Sequence, residues 1–208
     1  THDYTKDGLY LGFKYNYTDA DINKYVESHG AEITDANDET IVDLLMNKNI
    51  VTFFQGRSEN GPRALGNRSI LFNPTYQDGK DFVNEVKHRE YFRPFAGTIL
   101  QEHVHEWFDL RGMKDSPHMM YAVNCQPGIE EKIPSIIQTV TEEQNKHYYS
   151  LIKAFHARTG VPILFNTSFN LGGDPLVETL DDAIYTLANS DIEYLYLPEY
   201  SKLIKIAN

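Results

Sequence analysis

The chain has 208 residues, 41% hydrophobic and 12% aromatic, which suits one domain (1–208) with a buried core and excludes intrinsic disorder. One cysteine, Cys125, excludes an internal disulfide and a thiolate zinc cluster and fits a reducing cytoplasm. A formal net charge of −11 argues against a nucleic-acid partner, and no apolar run approaches the ~20 residues of a membrane span. The N-terminal THDYTKDGLYLGFKYNY lacks the basic and apolar regions of a secretory signal, so the expected location is the cytoplasm.

In chain order, TDADINKYVESHG from Thr18 predicts a helix with Thr18 as N-cap, Asp21 completing a capping box and Gly30 as the stop. Asp38 to Asn47 predicts a second helix with Ile41, Val42, Leu44 and Leu45 inward. IVTFF (50–54) reads as a buried strand, and GRSENGPRALG (56–66) as a shaped loop, since it holds three glycines and a proline. Ser69–Phe72 reads as a strand, Asp78–Lys87 as a helix, and 92–100 as extended chain because Pro94 disfavours helix at Arg93. His118–Asn124 is a strand candidate and Asn145–Thr159 a helix closed by Gly160. VPILFN (161–166) is the strongest strand, followed by the polar turn NTSFNLGGDP, a helix over 178–189 and two closing strands, IEYLYL and YSKLIKIA. Alternating helices and strands predict α/β or α+β with a mixed sheet.

The positive charge is concentrated. From Arg57 to Arg93 seven basic side chains face five acidic ones, a net of +2, while the remainder of the chain carries −13. Within GRSENGPRALGNRS, Arg57, Arg63 and Arg68 alternate with glycines that let backbone amides approach a ligand. Guanidinium groups supply planar donors suited to phosphate and carboxylate oxygens. The alternative is an ordinary loop whose arginines pair with local acids such as Glu59. Lys87 and Arg89 could share one side of an extended segment, or simply decorate a helix C-terminus. Asn166, Thr167, Ser168 and Asn170 place hydroxyl and amide groups at the end of a strong strand, where they can bind a ligand or stabilise a turn. His103 and His105 form a His-x-His pair for which the sequence places no third metal ligand.

GRSENGPRALGNRSIL, VKHREYFRPFA (86–96) and TGVPILFNTSFNLGGDPLV (159–177), in this order and spacing, resemble the C-terminal domain of the O-carbamoyltransferases. This family includes nodulation-factor and antibiotic-modifying enzymes, and the resemblance covers nearly the whole chain. It implies a YrdC-like α/β fold, a twisted mixed sheet flanked by helices with an open basic cavity. It implies that carbamoyl phosphate and ATP, with Mg²⁺ on the nucleotide, yield carbamoyl adenylate and pyrophosphate. An N-terminal actin/sugar-kinase-like domain, absent from this chain, would then transfer the carbamoyl group to an acceptor hydroxyl.

The family's Lys-x-Arg and Ser-x-Asn tetrad falls on Lys87, Arg89, Ser168 and Asn170. The resemblance gives the first pair phosphate and transition-state binding, and the second orientation of the phosphates or the carbamoyl group. Arg57, Arg63 and Arg68 would hold carbamoyl phosphate or shape the pocket, with Arg93, Asn166 and Thr167 as further binding residues. One departure stands out: between Pro134 and the helix at 145 the family carries a His-x-Asp-Gly-(Ser/Thr)-Ala-Arg stretch, where this chain reads IPSIIQTVTEEQN. Other readings are a module that binds nucleotide or carbamoyl phosphate without turnover and a tRNA-threonylcarbamoylation factor.

Overall fold

The computed structural model describes residues 14–58, 66–76, 78–87, 96–109, 124–125 and 136–206. Its centre is an eight-stranded mixed sheet: β1 (Glu32–Asp35), β2 (Val51–Phe54), β3 (Arg68–Phe72), β4 (Ala96–Leu100), β7 (Ile136–Val140), β8 (Ile163–Ser168), β9 (Tyr194–Leu197) and β10 (Lys202–Lys205). Their order across the sheet is β1-β10-β9-β2-β3-β8-β4-β7, and the β2/β9 and β4/β7 pairs are parallel while the rest are antiparallel. A separate two-stranded ribbon joins β5 (Phe108–Asp109) to β6 (Asn124–Cys125). The expected mixed α/β sheet flanked by helices is therefore present.

Helices cover both faces, as a sheet with two apolar faces requires. On one side lie α1 (Asp19–Ser28), α3 (Gly79–Val86) and α6 (Leu180–Ala188), which share a core with Phe54, Ile70, Phe72, Leu195 and Ile204. On the other lie α2 (Asp38–Met46) and α5 (Lys146–Thr159), packed on Phe53, Leu71, Leu164 and Tyr196. Ile22, Val26, Ile41, Val42 and Leu45 are buried as their spacing predicted.

The caps explain the helix boundaries. Thr18 and Asp21 form the predicted capping box, and Asn37/Thr40 and Thr179/Asp182 form two more. Asn145 caps α5, whose C-terminal Gly160 adopts φ +73°.

Three features differ from expectation. EITD was not read as a strand, yet β1 pairs along its length with β10 at the sheet edge. Ile136–Val140 is also a strand, paired in parallel with β4. Gln101–Trp107 forms a 3₁₀ turn followed by the short helix α4 (Val104–Trp107), although 92–100 ends as the expected strand at Leu100. The strand candidate 118–124 lies outside the described residues except at Asn124, and so do 92–95.

Candidate functional site

β3, β8 and α3 build the centre of the site. β3 and β8 run side by side with Ser69 opposite Ser168 and Ile70 opposite Thr167. Past Ser168 the chain turns, and its direction is fixed by two backbone bonds, from the Phe169 amide to the Arg68 carbonyl and from the Val177 amide to the Phe169 carbonyl, both 2.9 Å. The Phe169 ring is buried in the α1/α6 core and anchors that turn.

α3 ends at Val86, and Lys87 is its C-cap. The Lys87 carbonyl accepts from the Gly172 amide at 2.8 Å, joining the helix end to the turn after β8. The side chain follows the backbone into the same place. Lys87 Nζ donates to the Ser168 carbonyl at 2.7 Å, to Thr167 Oγ1 at 3.3 Å and to Asn170 Oδ1 at 3.4 Å. Ser168 Oγ donates to the same Asn170 Oδ1 at 2.7 Å, and Asn170 Nδ2 donates to the Asp174 carbonyl at 2.7 Å.

Lys87 is only 2% exposed. These three oxygens are neutral acceptors for the ammonium. They bring its positive charge beside the half-buried Ser168 and Asn170. The cluster can hold an oxyanion and orient it through a hydroxyl and an amide.

The other described candidates are placed differently. Arg68 is fully buried, stacked 3.7 Å from the centre of the Phe54 ring. Its guanidinium donates to the carbonyls of Gln55, Gly56, Asn67 and Glu178. These bonds tie the start of β3 to the residues that follow β2 and to the segment before α6. Period-2 reading of β3 carries the signal, since Arg68 shares a face with buried Ile70 and Phe72. Arg57 is exposed, at the start of the arginine-bearing loop. Asn166 points to the α5 side of the sheet, donating from Nδ2 to Gln138 Oε1 at 3.4 Å, and does not join the Lys87 group. Arg63, Arg89 and Arg93 lie outside the described residues.

Sequence reasoning did not name the buried amides Gln55 and Asn145, which hold the loop's re-entry at Gly66. The signal available was Asn145 at a helix start. Gly66 has φ +92°, and a Cβ there would lie 2.2 Å from Tyr148 Cδ1. Gly66→Ala is therefore expected to destabilise the fold by about 2–4 kcal/mol, through backbone strain and overpacking, as read from urea denaturation midpoints.

The His-x-His pair has another partner. His103 Nδ1 lies 3.2 Å from Glu106 Oε2, and its ring meets that of His156 on α5 edge-on, with 4.4 Å between centres. Burial, then the His103 charge, holds the His156 imidazole below its ordinary pKa. Beside it, Tyr149 donates to Glu102 Oε1 at 2.6 Å, and that bond raises the phenol to about 12. Among the described residues no group of three or more His, Cys, Asp or Glu is placed to hold a metal ion. No described helix is long and apolar enough to cross a membrane.

Comparison with known proteins places this arrangement. The family model for the carbamoyltransferase C-terminus matches residues 42–203. Nodulation protein NolO of Bradyrhizobium diazoefficiens is 37% identical over 188 residues, spanning 86% of this chain and 34% of the relative. The uncharacterized protein sll1178 of Synechocystis is 34% identical, spanning 93% of this chain and 36% of the relative. This chain thus spans about a third of the length of these curated relatives. Among solved structures, full-length HypF in its phosphate- and nucleotide-bound form superposes over 77% of this chain and 21% of its own, with TM-score 0.56 and 12% identity. T. kodakarensis HypF superposes over 86% of this chain and 23% of its own, with TM-score 0.55 and 13% identity. At such identities the likeness speaks to fold alone. Fold and sequence meet in one assignment: the chain belongs to the carbamoyltransferase family, as its C-terminal domain.

Proposed function

We propose that this domain makes carbamoyl adenylate from carbamoyl phosphate and ATP, as one half-reaction of a carbamoyltransferase. The observation that carries the reading is the buried Lys87 ammonium gathered with Thr167, Ser168 and Asn170 at the junction of α3 and β8. Both substrates bring clustered negative charge, and the phosphate and nucleotide named for the HypF structure fit the same chemistry on a similar fold.

The balanced reaction consumes one water. Hydrolysis of carbamoyl phosphate releases phosphate and carbamate; a carbamate oxygen then attacks the α-phosphorus of ATP, and the bond to pyrophosphate breaks. Charge grows on the non-bridging oxygens and on the leaving group, so fixed cations lower the barrier by electrostatics without a covalent intermediate. Lys87 supplies such a cation. Ser168 Oγ exchanges its bond to Asn170 for one to a substrate oxygen, and Asn170 stays braced through Asp174. Arg57 lies at the edge of the loop, while Arg63, Arg89 and Arg93 take the phosphate-binding roles the family pattern gives them. Mg²⁺ enters with ATP as part of the substrate. Transfer to the acceptor hydroxyl belongs to an N-terminal domain of the whole protein.

Incubation with carbamoyl phosphate, ATP and Mg²⁺ is expected to release pyrophosphate in amounts that depend on both substrates. Calorimetric nucleotide binding without pyrophosphate release would favour a binding module. The departure from the family pattern between Pro134 and Asn145 favours that second reading.

A further inference from the structure

The base of the arginine-bearing loop is fastened by side chains outside the family motifs. Gln55 follows β2 and is 5% exposed; its Nε2 donates to the Gly66 carbonyl at 2.8 Å and to Asn145 Oδ1 at 2.7 Å. Asn145, 8% exposed, also accepts from the Tyr148 amide at 3.2 Å. Its Nδ2 donates to the Gly66 carbonyl at 3.3 Å and to Asn67 Oδ1 at 3.2 Å. The Gly66 amide donates to Ser69 Oγ at 3.0 Å, and Asn67 Nδ2 to the Arg57 carbonyl at 2.9 Å. The point where the chain leaves β2 and the point where it re-enters β3 are thus tied to each other and to the first turn of α5.

Tyr148 continues the line across the sheet. Its hydroxyl donates to Thr98 Oγ1 at 2.8 Å, Thr98 Oγ1 donates to Gln138 Oε1 at 3.3 Å, and Asn166 Nδ2 donates to the same oxygen. A buried chain of hydrogen bonds therefore connects the loop base to β8, two residues before Ser168.

Capping α5 requires one side-chain acceptor, which serine would supply as well. The donors of Gln55 and Asn145 serve something else. Buried amides hold geometry only when their partners are satisfied, and here both sets of donors converge on the Gly66 carbonyl and its neighbours. We propose that Gln55 and Asn145 are positioning residues of the carbamoyl phosphate site. They hold Arg57 and the loop base at a fixed distance from the Lys87–Ser168–Asn170 cluster. This rests on the adenylation reading above. A guanidinium recognises an anion only from the correct place, and a displacement near 1 Å at a reacting site costs up to ~100-fold.

Asn145→Ser keeps a capping oxygen but removes both donors, and Gln55→Glu removes the opposing donors at constant size. In the full-length protein, each is expected to raise KM for carbamoyl phosphate about tenfold with kcat within roughly twofold, and to leave the helical circular dichroism unchanged. A merely structural role would not split KM from kcat in this way. Wild-type KM in both variants overturns the proposal. If the wild-type protein releases no pyrophosphate, the adenylation reading fails. The clamp is then judged by hydrogen exchange at the Gly66 and Asn67 amides: faster exchange in both variants sustains it, and unchanged exchange overturns it.

Discussion

Arg68→Met is expected to lower the unfolding free energy by about 4 kcal/mol, which for a domain of this size moves the thermal midpoint down by roughly 8–16 °C. Four carbonyls, those of Gln55, Gly56, Asn67 and Glu178, lose a charge-assisted donor at once. The Asn67 carbonyl keeps the Gln55 amide at 3.0 Å, so three acceptors lose their guanidinium donor without that backbone support. An orphaned acceptor costs about 1–3 kcal/mol where water cannot replace the donor, which sets the total near 4 kcal/mol. Methionine recovers contact with Phe54 but no hydrogen bond. Arg68→Lys is expected to recover little, because a point-like ammonium on a flexible stem cannot span four carbonyls set around a planar fork. Urea denaturation of both variants checks this. A midpoint at the wild-type value in Arg68→Met would mean that the clamp contributes nothing to the fold.

Lys87→Met is expected to show the opposite signature, with activity falling and the fold surviving. Pyrophosphate release is expected to drop by about 10²–10³-fold, the usual effect of deleting one preorganised charge from a transition-state environment. Stability is expected to change by less than about 2 kcal/mol. The Ser168 carbonyl loses a donor, but the cost of keeping an ammonium out of water disappears as well. Single-turnover assays alongside thermal denaturation separate the two effects. A Lys87→Met variant that turns over at the wild-type rate would remove this residue from the chemistry. Lys87→Arg is not expected to rescue, since a larger planar group overpacks a site where the native side chain is buried.

Much of the fold was legible because local signals and tertiary structure agreed. The Thr18/Asp21 box starts α1, Asn145 and Gly160 bracket α5, and the β-branched run before Asn166 forms β8. The strand β1 was not legible: EITD is mostly exposed and polar, and only its ladder with β10 makes it a strand. β7 was missed for a related reason, since the segment after Pro134 was read as a departure from a motif rather than as chain that pairs with β4.

Composition grouped Arg57 and Arg68 as one kind of residue, and the structure separates them. Arg57 is at the surface, whereas Arg68 lies within β3 on the pleat face that carries Ile70 and Phe72. Asn166 and Thr167 were grouped in the same way, yet consecutive residues of β8 face opposite sides, so Thr167 meets Lys87 and Asn166 meets Gln138.

By itself the sequence determined the family motifs, the positions of most helices, and the chemistry on offer: cations, hydroxyls and amides suited to an oxyanion. Which of these groups meet was decided by the tertiary structure. The sheet order β2-β3-β8-β4 sets side by side strands far apart in the chain, and the pleat sends neighbouring residues to opposite faces. Lys87 reaches Ser168 and Asn170 across some eighty residues of sequence because α3 ends against the turn that follows β8. No local pattern encodes that distance, since it arises only when the two cores close around the sheet.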